Sequence, residues 1–190
     1  KHVHLGRPVH QAADSEECGL PPTCFVESDF IALFEPAGKV QGPKLRAAMR
    51  SLRLAKLKPD LAPDGFIRKT DQPKSAVSEA EMASDVSTKL DEPWQEFDVG
   101  KFVAQIEQEG VYPEGFAKAR GEKDPKKWGG ESGEFSYCLS LVSRINSVLA
   151  SPAFTCVFGD VTAPLTDRID KFVSGTGRLL RVCLSGVAYE

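Results

Sequence analysis

The stretch Gly42–Pro59, GPKLRAAMRSLRLAKLKP, predicts a strong helix in the front half of the chain. Proline is favoured in the first turn of a helix, so Pro43 suits its start, and the second proline marks its end. Three apolar residues fall on one side of this helix, namely Leu45, Met49 and Leu52. The front of the chain is therefore expected to be mainly helical.

The same stretch is strongly basic. Between its first and last lysine it carries six basic residues and no acidic one: Lys44, Arg46, Arg50, Arg53, Lys56 and Lys58. Arg46, Arg50 and Arg53 lie at positions i, i+4 and i+7, so they form one stripe along the helix. Such a stripe can neutralise phosphates of duplex DNA. The alternative is a solvated face that pairs with the acidic region 79–96, and the acidic composition of the chain favours it.

Other helices are predicted around this one. Ser28 or Asp29 starts a short helix that ends before Pro36, and region 78–90 is a polar, weakly amphipathic helix on the surface. Asp98 can cap a clean helix that ends at Gly110. Its apolar residues are Val99, Phe102, Val103 and Ile106. Residues 1–27 show no sustained period and are expected to be irregular, and residues 59–75 read as a linker.

The tail alternates helices and strands. A helix of about 17 residues begins near Phe135 and is apolar over much of its circumference. Its apolar residues are Cys138, Leu139, Leu141, Val142, Ile145, Val148 and Leu149. After it we predict a strand at 154–158, a helix at 164–174 with Leu165, Ile169 and Phe172 inward, and a strand at 179–184. The two strands are expected to share one parallel sheet, with the helix as their crossover.

These elements predict an α+β fold that is mostly helical. Residues 1–27 form a lead-in, residues 28–131 a helical insertion subdomain, and residues 132–190 a segment of an α/β core with two or three strands.

Composition limits the class of protein. The chain has 190 residues, 41% of them hydrophobic, and a net charge of −3. It can bury one ordinary core, and its charge does not suggest a non-specific polyanion binder. No run of about 18 apolar residues and no signal segment is visible, which predicts a cytoplasmic protein that does not bind membranes. The five cysteines are expected to be reduced thiols.

The glycine-rich stretch Lys127–Ser136, KWGGESGEFS, has a superficial likeness to a phosphate-binding loop. The loop's lysine, which contacts phosphates, is replaced by Glu134, and no strand precedes the stretch. We interpret it instead as a hinge into the tail, with Ser132 as the cap of the following helix.

No catalytic, cofactor-binding or metal-binding residue is predicted. The amino-terminal histidines and cysteines (His2, His4, His10, Cys18 and Cys24) match no zinc spacing. Asp160 follows a predicted strand, where α/β folds place ligands, but Asp167 and Asp170 suit an exposed helix face. A small hydrolase that uses Asp160 or a cysteine is a further hypothesis.

Three blocks, in order, resemble HerA-type ATPases of the HerA/FtsK superfamily. They are FVESDFIALFEPAGKVQGPKLRAAMRSLRL from Phe25, SLVSRINSVLASPAFTCVFGD from Ser140 and GRLLRVCLSGVAYE from Gly177. The first resembles the family's entry into a helical insertion, the second its helix-and-strand block, and the third its V-I-D-L-S-G-V strand. The sequence departs from that family at Cys183, where an aspartate is usual, and at Ala153, where an arginine is usual.

The resemblance implies an internal fragment of a P-loop ATPase domain with a RecA-like core. Family members are hexameric DNA translocases that use ATP and Mg²⁺ and often work with a partner nuclease. This chain lacks the Walker A loop and stops before the usual Walker B acids, so it should not hydrolyse ATP alone. Within such an enzyme, Arg46, Arg50 and Arg53 are expected to contact duplex DNA or a partner. The alternative is an autonomous helical adaptor that binds a protein or DNA through the basic helix 43–58.

Overall fold

The computed structural model describes residues 2–6, 15–93, 96–116, 122–160, 163–175 and 179–184. The fold is α+β and mostly helical, as the sequence predicts. The strands are β1 (His2–Leu5), β2 (Ser15–Cys18), β3 (Gly115–Phe116), β4 (Lys123–Asp124) and β5 (Arg181–Cys183). The helices are α1 (Glu27–Phe34), α2 (Gly38–Leu57), α3 (Ser75–Met82), α4 (Ser84–Leu90), α5 (Phe102–Glu109), α6 (Leu139–Ala150), α7 (Thr155–Phe158) and α8 (Leu165–Val173).

The chain divides into two compact units. The helical unit is one continuous segment, Phe25–Asn146. The sheet unit combines the chain up to Cys24 with the chain from Ser147 onward. The sheet unit is therefore discontinuous in sequence, and the helical unit is inserted within it.

The sheet unit holds a three-stranded parallel sheet in the order β2-β1-β5. Val3, on the central strand, pairs with Glu16 of β2 and with Val182 of β5 and is completely buried. The expectation that residues 1–27 are irregular is thus wrong for β1 and β2. Each strand is only four residues long, too short to show a period, and each is stabilised by partners distant in sequence.

The strand predicted at 154–158 is also wrong, because this segment is helical. A 3₁₀ turn at Pro152–Phe154 leads directly into α7. The Ser151 hydroxyl accepts a hydrogen bond from the Ala153 amide, and Pro152 occupies the first position of the turn. These helix-start signals outweigh the β-branched and aromatic content. The predicted strand at 179–184 is confirmed as β5, but its parallel partner is β1.

The helix predicted at 164–174 is confirmed as α8, but its apolar side is not fully buried. Leu165 and Phe172 are half-buried, and Ile169 is 41% exposed. Both ends of the third resemblance block, 177–178 and 185–190, lie outside the described residues.

Helix α2 forms the centre of the helical unit. Leu45, Met49 and Leu52 are buried, as predicted, and α2 packs mainly against α5. Beside it, Phe30 and Phe34 of α1 meet Phe102 of α5 with ring centroids 5.4–5.6 Å apart. A second apolar cluster joins the end of α2 to α4 and contains Leu54, Ala55, Ala62, Ile67, Val86 and Leu90.

Helix α2 begins at Gly38, four residues before the predicted stretch, so Pro43 lies inside the helix. The buried side chain of Gln41 explains this early start. Its Oε1 accepts a hydrogen bond from the Ala37 amide at 2.8 Å, which caps the helix. Its Nε2 donates to the Tyr137 carbonyl and the Ser140 hydroxyl, both at 2.8 Å.

The remaining helix predictions hold with small changes. Asp98 accepts a hydrogen bond from the Gly100 amide and caps a 3₁₀ turn that continues into α5. The polar helix predicted at 78–90 is split at Ala83 into α3 and α4. The predicted tail helix starts as a 3₁₀ turn, Gly133–Cys138, before α6. Of its apolar stripe, Leu139 is exposed.

None of the described helices alone has the length and hydropathy of a membrane span. Among them, one pair meets these two criteria when taken together: Gly133–Ala150 and Pro152–Phe158, which are bent by 65° relative to each other.

Candidate functional site

Helix α2 places its three predicted arginines along one groove of about 640 Å³. We call it the arginine groove. The first turn of α1 and the end of α4 complete its walls, through Val26–Ser28 and Leu90–Pro93 respectively. The i, i+4, i+7 spacing explains why one helix can present all three guanidinium groups to the same space.

Arg46 and Arg50 lie at the rim and are paired with acids. The Arg46 Nε donates to Glu27 Oε1 at 3.0 Å. Arg50 donates to Glu81 at 3.1 Å and to Asp91 at 3.3 Å. Both arginine side chains are about half exposed, so these pairs are screened by water and salt and contribute little stability.

Arg53 differs from the other two because it is buried. It is only 8% exposed, and its Nε has no hydrogen-bond partner among the described residues. Burial lowers the pKa of its guanidinium, while Glu27 acts in the opposite direction and Arg50 adds to the lowering. A buried N–H group without a hydrogen-bond partner is unfavourable for the folded state. Packing alone therefore gives no reason for an arginine at this position.

The other basic residues between Lys44 and Lys58 are paired within the chain. Lys56 lies 3.9 Å from Glu96, and Lys58 lies 3.5 Å from Asp85. Lys56, Lys58 and Arg50 therefore pair with acidic residues in 79–96. This is the pairing expected if the basic stripe is a solvated face. Lys44 instead forms an ion pair with Glu134 at 2.7 Å and donates to the Glu109 carbonyl.

A buried polar cluster around Glu109 was not predicted. Lys69 Nζ lies 2.6–2.7 Å from both carboxylate oxygens, and Ser51 and Gln105 donate to Oε1. The sequence did contain a signal: Gln105 and Glu109 fall on the same face of α5 as Phe102 and Ile106. Since each polar group has a partner, this cluster is a structural link between α2, α5 and the 66–72 segment.

The glycine-rich stretch lies inside the helical unit, so its interpretation as a hinge into the tail is wrong, whereas Ser132 caps the following 3₁₀ turn as predicted. The Ser132 hydroxyl accepts a hydrogen bond from the Glu134 amide and donates one to the Gly110 carbonyl. The Glu134 carboxylate, where a phosphate loop would have its lysine, is engaged by Lys44.

The remaining catalytic candidates are not brought together. Asp160 follows helix α7, so the strand-end argument for it fails, and Asp167 and Asp170 are exposed on α8. Three of the five free cysteines are buried, and burial raises the pKa of their thiols: Cys18, Cys138 and Cys156. A raised pKa disfavours the reactive thiolate.

The amino-terminal histidines are part of the sheet. His4 is buried in β1, with its Nδ1 2.6 Å from the Ser15 hydroxyl, and His2 lies on the same strand. His10 lies outside the described residues. Within the described ranges, no group of three histidine, cysteine or carboxylate side chains could hold a metal ion.

Comparison of the chain with protein-family models and with curated proteins found no match.

Proposed function

We propose that the chain is an internal segment of a HerA-like, ATP-dependent DNA translocase, with Phe25–Asn146 as a helical insertion in the ATPase domain. The observation that carries this proposal is the order of the two units along the chain. Strands β1 and β2 precede the helical unit and β5 follows it, yet β1 pairs in parallel with both. β1 and β5 are parallel neighbours joined through the whole helical unit, and parallel strands joined by a long connection are typical of α/β cores. An insertion within an α/β core is what the sequence resemblance implies, although the strand that its second block implies at 154–158 is helical.

In this proposal the chain positions parts of a larger enzyme and does not hydrolyse ATP by itself. ATP and Mg²⁺ bind to a Walker A loop that lies elsewhere in the parent protein, which acts as a cytoplasmic hexamer with a partner nuclease. The chain's own glycine-rich stretch is unsuited to phosphate, because Glu134 puts a negative charge there. Cys183 and Ala153 differ from the family pattern, so no family role is carried over to either.

The parent reading frame tests this proposal. We expect a G-x-x-x-x-G-K-[ST] motif upstream of Lys1 and a hydrophobic strand ending in acidic residues downstream of Glu190. The purified parent protein should hydrolyse ATP faster when duplex DNA is added, and replacing the motif lysine with alanine should abolish hydrolysis. A reading frame with an initiator methionine directly before Lys1 and a stop codon after Glu190 would overturn the proposal.

The arginine groove favours a second candidate function, an adaptor that binds an anionic partner through α2. Its support is that Arg46, Arg50 and Arg53 line one groove. Duplex DNA is the partner to test first, because the same residues serve the translocase proposal.

Filter binding of duplex DNA at several salt concentrations tests this role of α2. Replacing the three arginines with alanine should weaken binding and flatten its salt dependence, with each lost phosphate contact reducing the slope by about one. A matched control is the Arg68→Ala variant, since Arg68 pairs with Asp64 away from the groove. Unchanged affinity and slope in the triple variant would show that the stripe is only a solvated face.

A further inference from the structure

The chemistry of the arginine groove is set by its most buried group. Arg53 is over nine-tenths buried and lines the groove, and its Nε has no partner among the described residues. The nearby acids Glu27 and Asp91 are engaged by Arg46 and Arg50 instead. A ligand that brings acceptor oxygens to Arg53 would supply hydrogen bonds that the described part of the chain does not make.

The carboxylates bound at the rim of the arginine groove can be replaced by another anion. Glu27 and Asp91 are held by partly exposed ion pairs, which are weak in water. The first turn of α1 also lies at the groove, and the amino-terminal end of a helix carries partial positive charge. An anion with more charge and more acceptor oxygens than one carboxylate can therefore compete with Glu27 and Asp91, and also with Glu92, which lines the groove, and Glu81, which pairs with Arg50.

We propose that the arginine groove binds a phosphate group, with Arg53 as its buried anchor. Arg46 contacts it after releasing Glu27, and Arg50 after releasing Glu81 and Asp91. Guanidinium groups bind phosphate through paired N–H···O bonds, and a phosphate monoester offers three acceptor oxygens to three arginines. Because Arg53 is buried, the site favours a terminal phosphate over a diester flanked by two sugars. A nucleotide and the end of a nucleic-acid strand share this chemistry. The proposal rests on the binding role of α2 and not on the ATPase assignment, so either can fail alone.

Thermal unfolding of the full chain in inorganic phosphate and in chloride, at matched ionic strength, tests the proposal. Phosphate should raise the Tm of the unsubstituted chain above its value in chloride. Arg53→Met should raise the Tm in chloride, because it removes a buried charge, and should abolish the increment from phosphate. Arg53→Lys keeps the charge but loses the planar fork, so the affinity for phosphate should fall at least about tenfold. Arg68→Met, outside the groove, should retain the full increment.

Competition then identifies the source of the phosphate. A nucleoside monophosphate is compared with its nucleoside, and a 5′-phosphorylated oligonucleotide with the same oligonucleotide lacking the phosphate. The proposed site is supported if a phosphorylated probe displaces inorganic phosphate and its unphosphorylated counterpart does not. The proposal is overturned if phosphate and chloride give equal Tm values, if the increment survives in both Arg53 variants, or if neither phosphorylated probe competes.

Discussion

The two most informative residues of the helical unit, Glu109 and Arg53, are both buried charges in very different surroundings. Glu109 has an opposite charge 2.6 Å away on Lys69 and accepts hydrogen bonds from two neutral side chains. The Nε of Arg53 has no partner among the described residues. A fully bonded charge fixes the packing of the elements around it, whereas an unsatisfied one is unfavourable until a ligand binds. We therefore assign Glu109 to the fold and Arg53 to binding.

Removal of the Glu109 carboxylate should strongly destabilise the helical unit. Glu109→Ala leaves the ammonium group of Lys69, also mostly buried, without its counter-charge. Breaking a buried pair from one side costs about 3–5 kcal/mol. Urea unfolding followed by circular dichroism measures the loss. Glu107→Ala is the matched control, since Glu107 lies on the exposed face of the same helix and its loss should change stability by less than about 0.5 kcal/mol. Equal effects of the two substitutions would contradict the structural role of Glu109.

The five cysteines should separate into two classes by reactivity. Burial raises the pKa of Cys18, Cys138 and Cys156, so these thiols remain protonated near neutral pH and are shielded from reagent. Cys24 and Cys183 are partly exposed.

A thiol-specific reagent at pH about 7.5 should label these two within minutes and the other three only as the protein opens. As pH rises above about 8.5, the ordinary pKa of a thiol, the free energy of unfolding should fall, because the raised pKa in the folded state means that the unfolded chain loses its thiol protons first. In denaturant all five should react together. Rapid labelling of all five in the folded protein would contradict the assignment.

At the scale of elements, prediction from sequence succeeded where the signal is local. Asp98 before α5 and Ser132 before the turn into α6 are caps in the sequence and in the structure, because a cap involves residues only two or three positions apart. The stripe of three arginines follows in the same way from helical spacing. By contrast, β1 depends on β5 at the other end of the chain, and the 154–158 segment became helical through Ser151 and Pro152.

The candidate site was only partly predictable for the same reason. Sequence spacing put Arg46, Arg50 and Arg53 on one helix, but it could not show which one is buried. That depends on how α1 and α4 pack beside α2. The Glu109 cluster likewise needs Lys69, forty positions away, to be recognised as a buried pair.

The start of α2 provides a test at this scale. Gln41 accepts the Ala37 amide and donates to Tyr137 and Ser140. Gln41→Met keeps the size of the side chain but removes its three hydrogen bonds. The free energy of unfolding should therefore fall by about 1–3 kcal/mol.

Hydrogen exchange should also quicken at the first turns of α2 while the end of that helix stays protected. Lys39→Met, an exposed change two residues earlier, is the control. Uniform loss of protection along α2 would show that Gln41 does not act as a local cap.

At the scale of the whole chain, the continuity of each unit determines what can fold alone. The helical unit is one uninterrupted segment with its own aromatic core and its own buried ion pair. The central strand of the sheet unit needs neighbours from both ends of the chain. A continuous unit can be produced as one fragment, whereas the sheet unit cannot be cut at one point without separating paired strands.

A fragment of residues 25–150, which is the helical unit lengthened to include all of α6, should therefore fold on its own. We expect a cooperative urea transition and near-ultraviolet circular dichroism from fixed aromatic side chains, because Phe30, Phe34 and Phe102 pack within the fragment. A fragment of residues 1–150 retains β1 but lacks β5, so it should show the same helical transition and no added cooperative unit. If the full chain shows the near-ultraviolet signal and the fragment of residues 25–150 does not, then the helical unit depends on the sheet unit in order to fold. In that case the arginine groove would have to be tested only in the full chain.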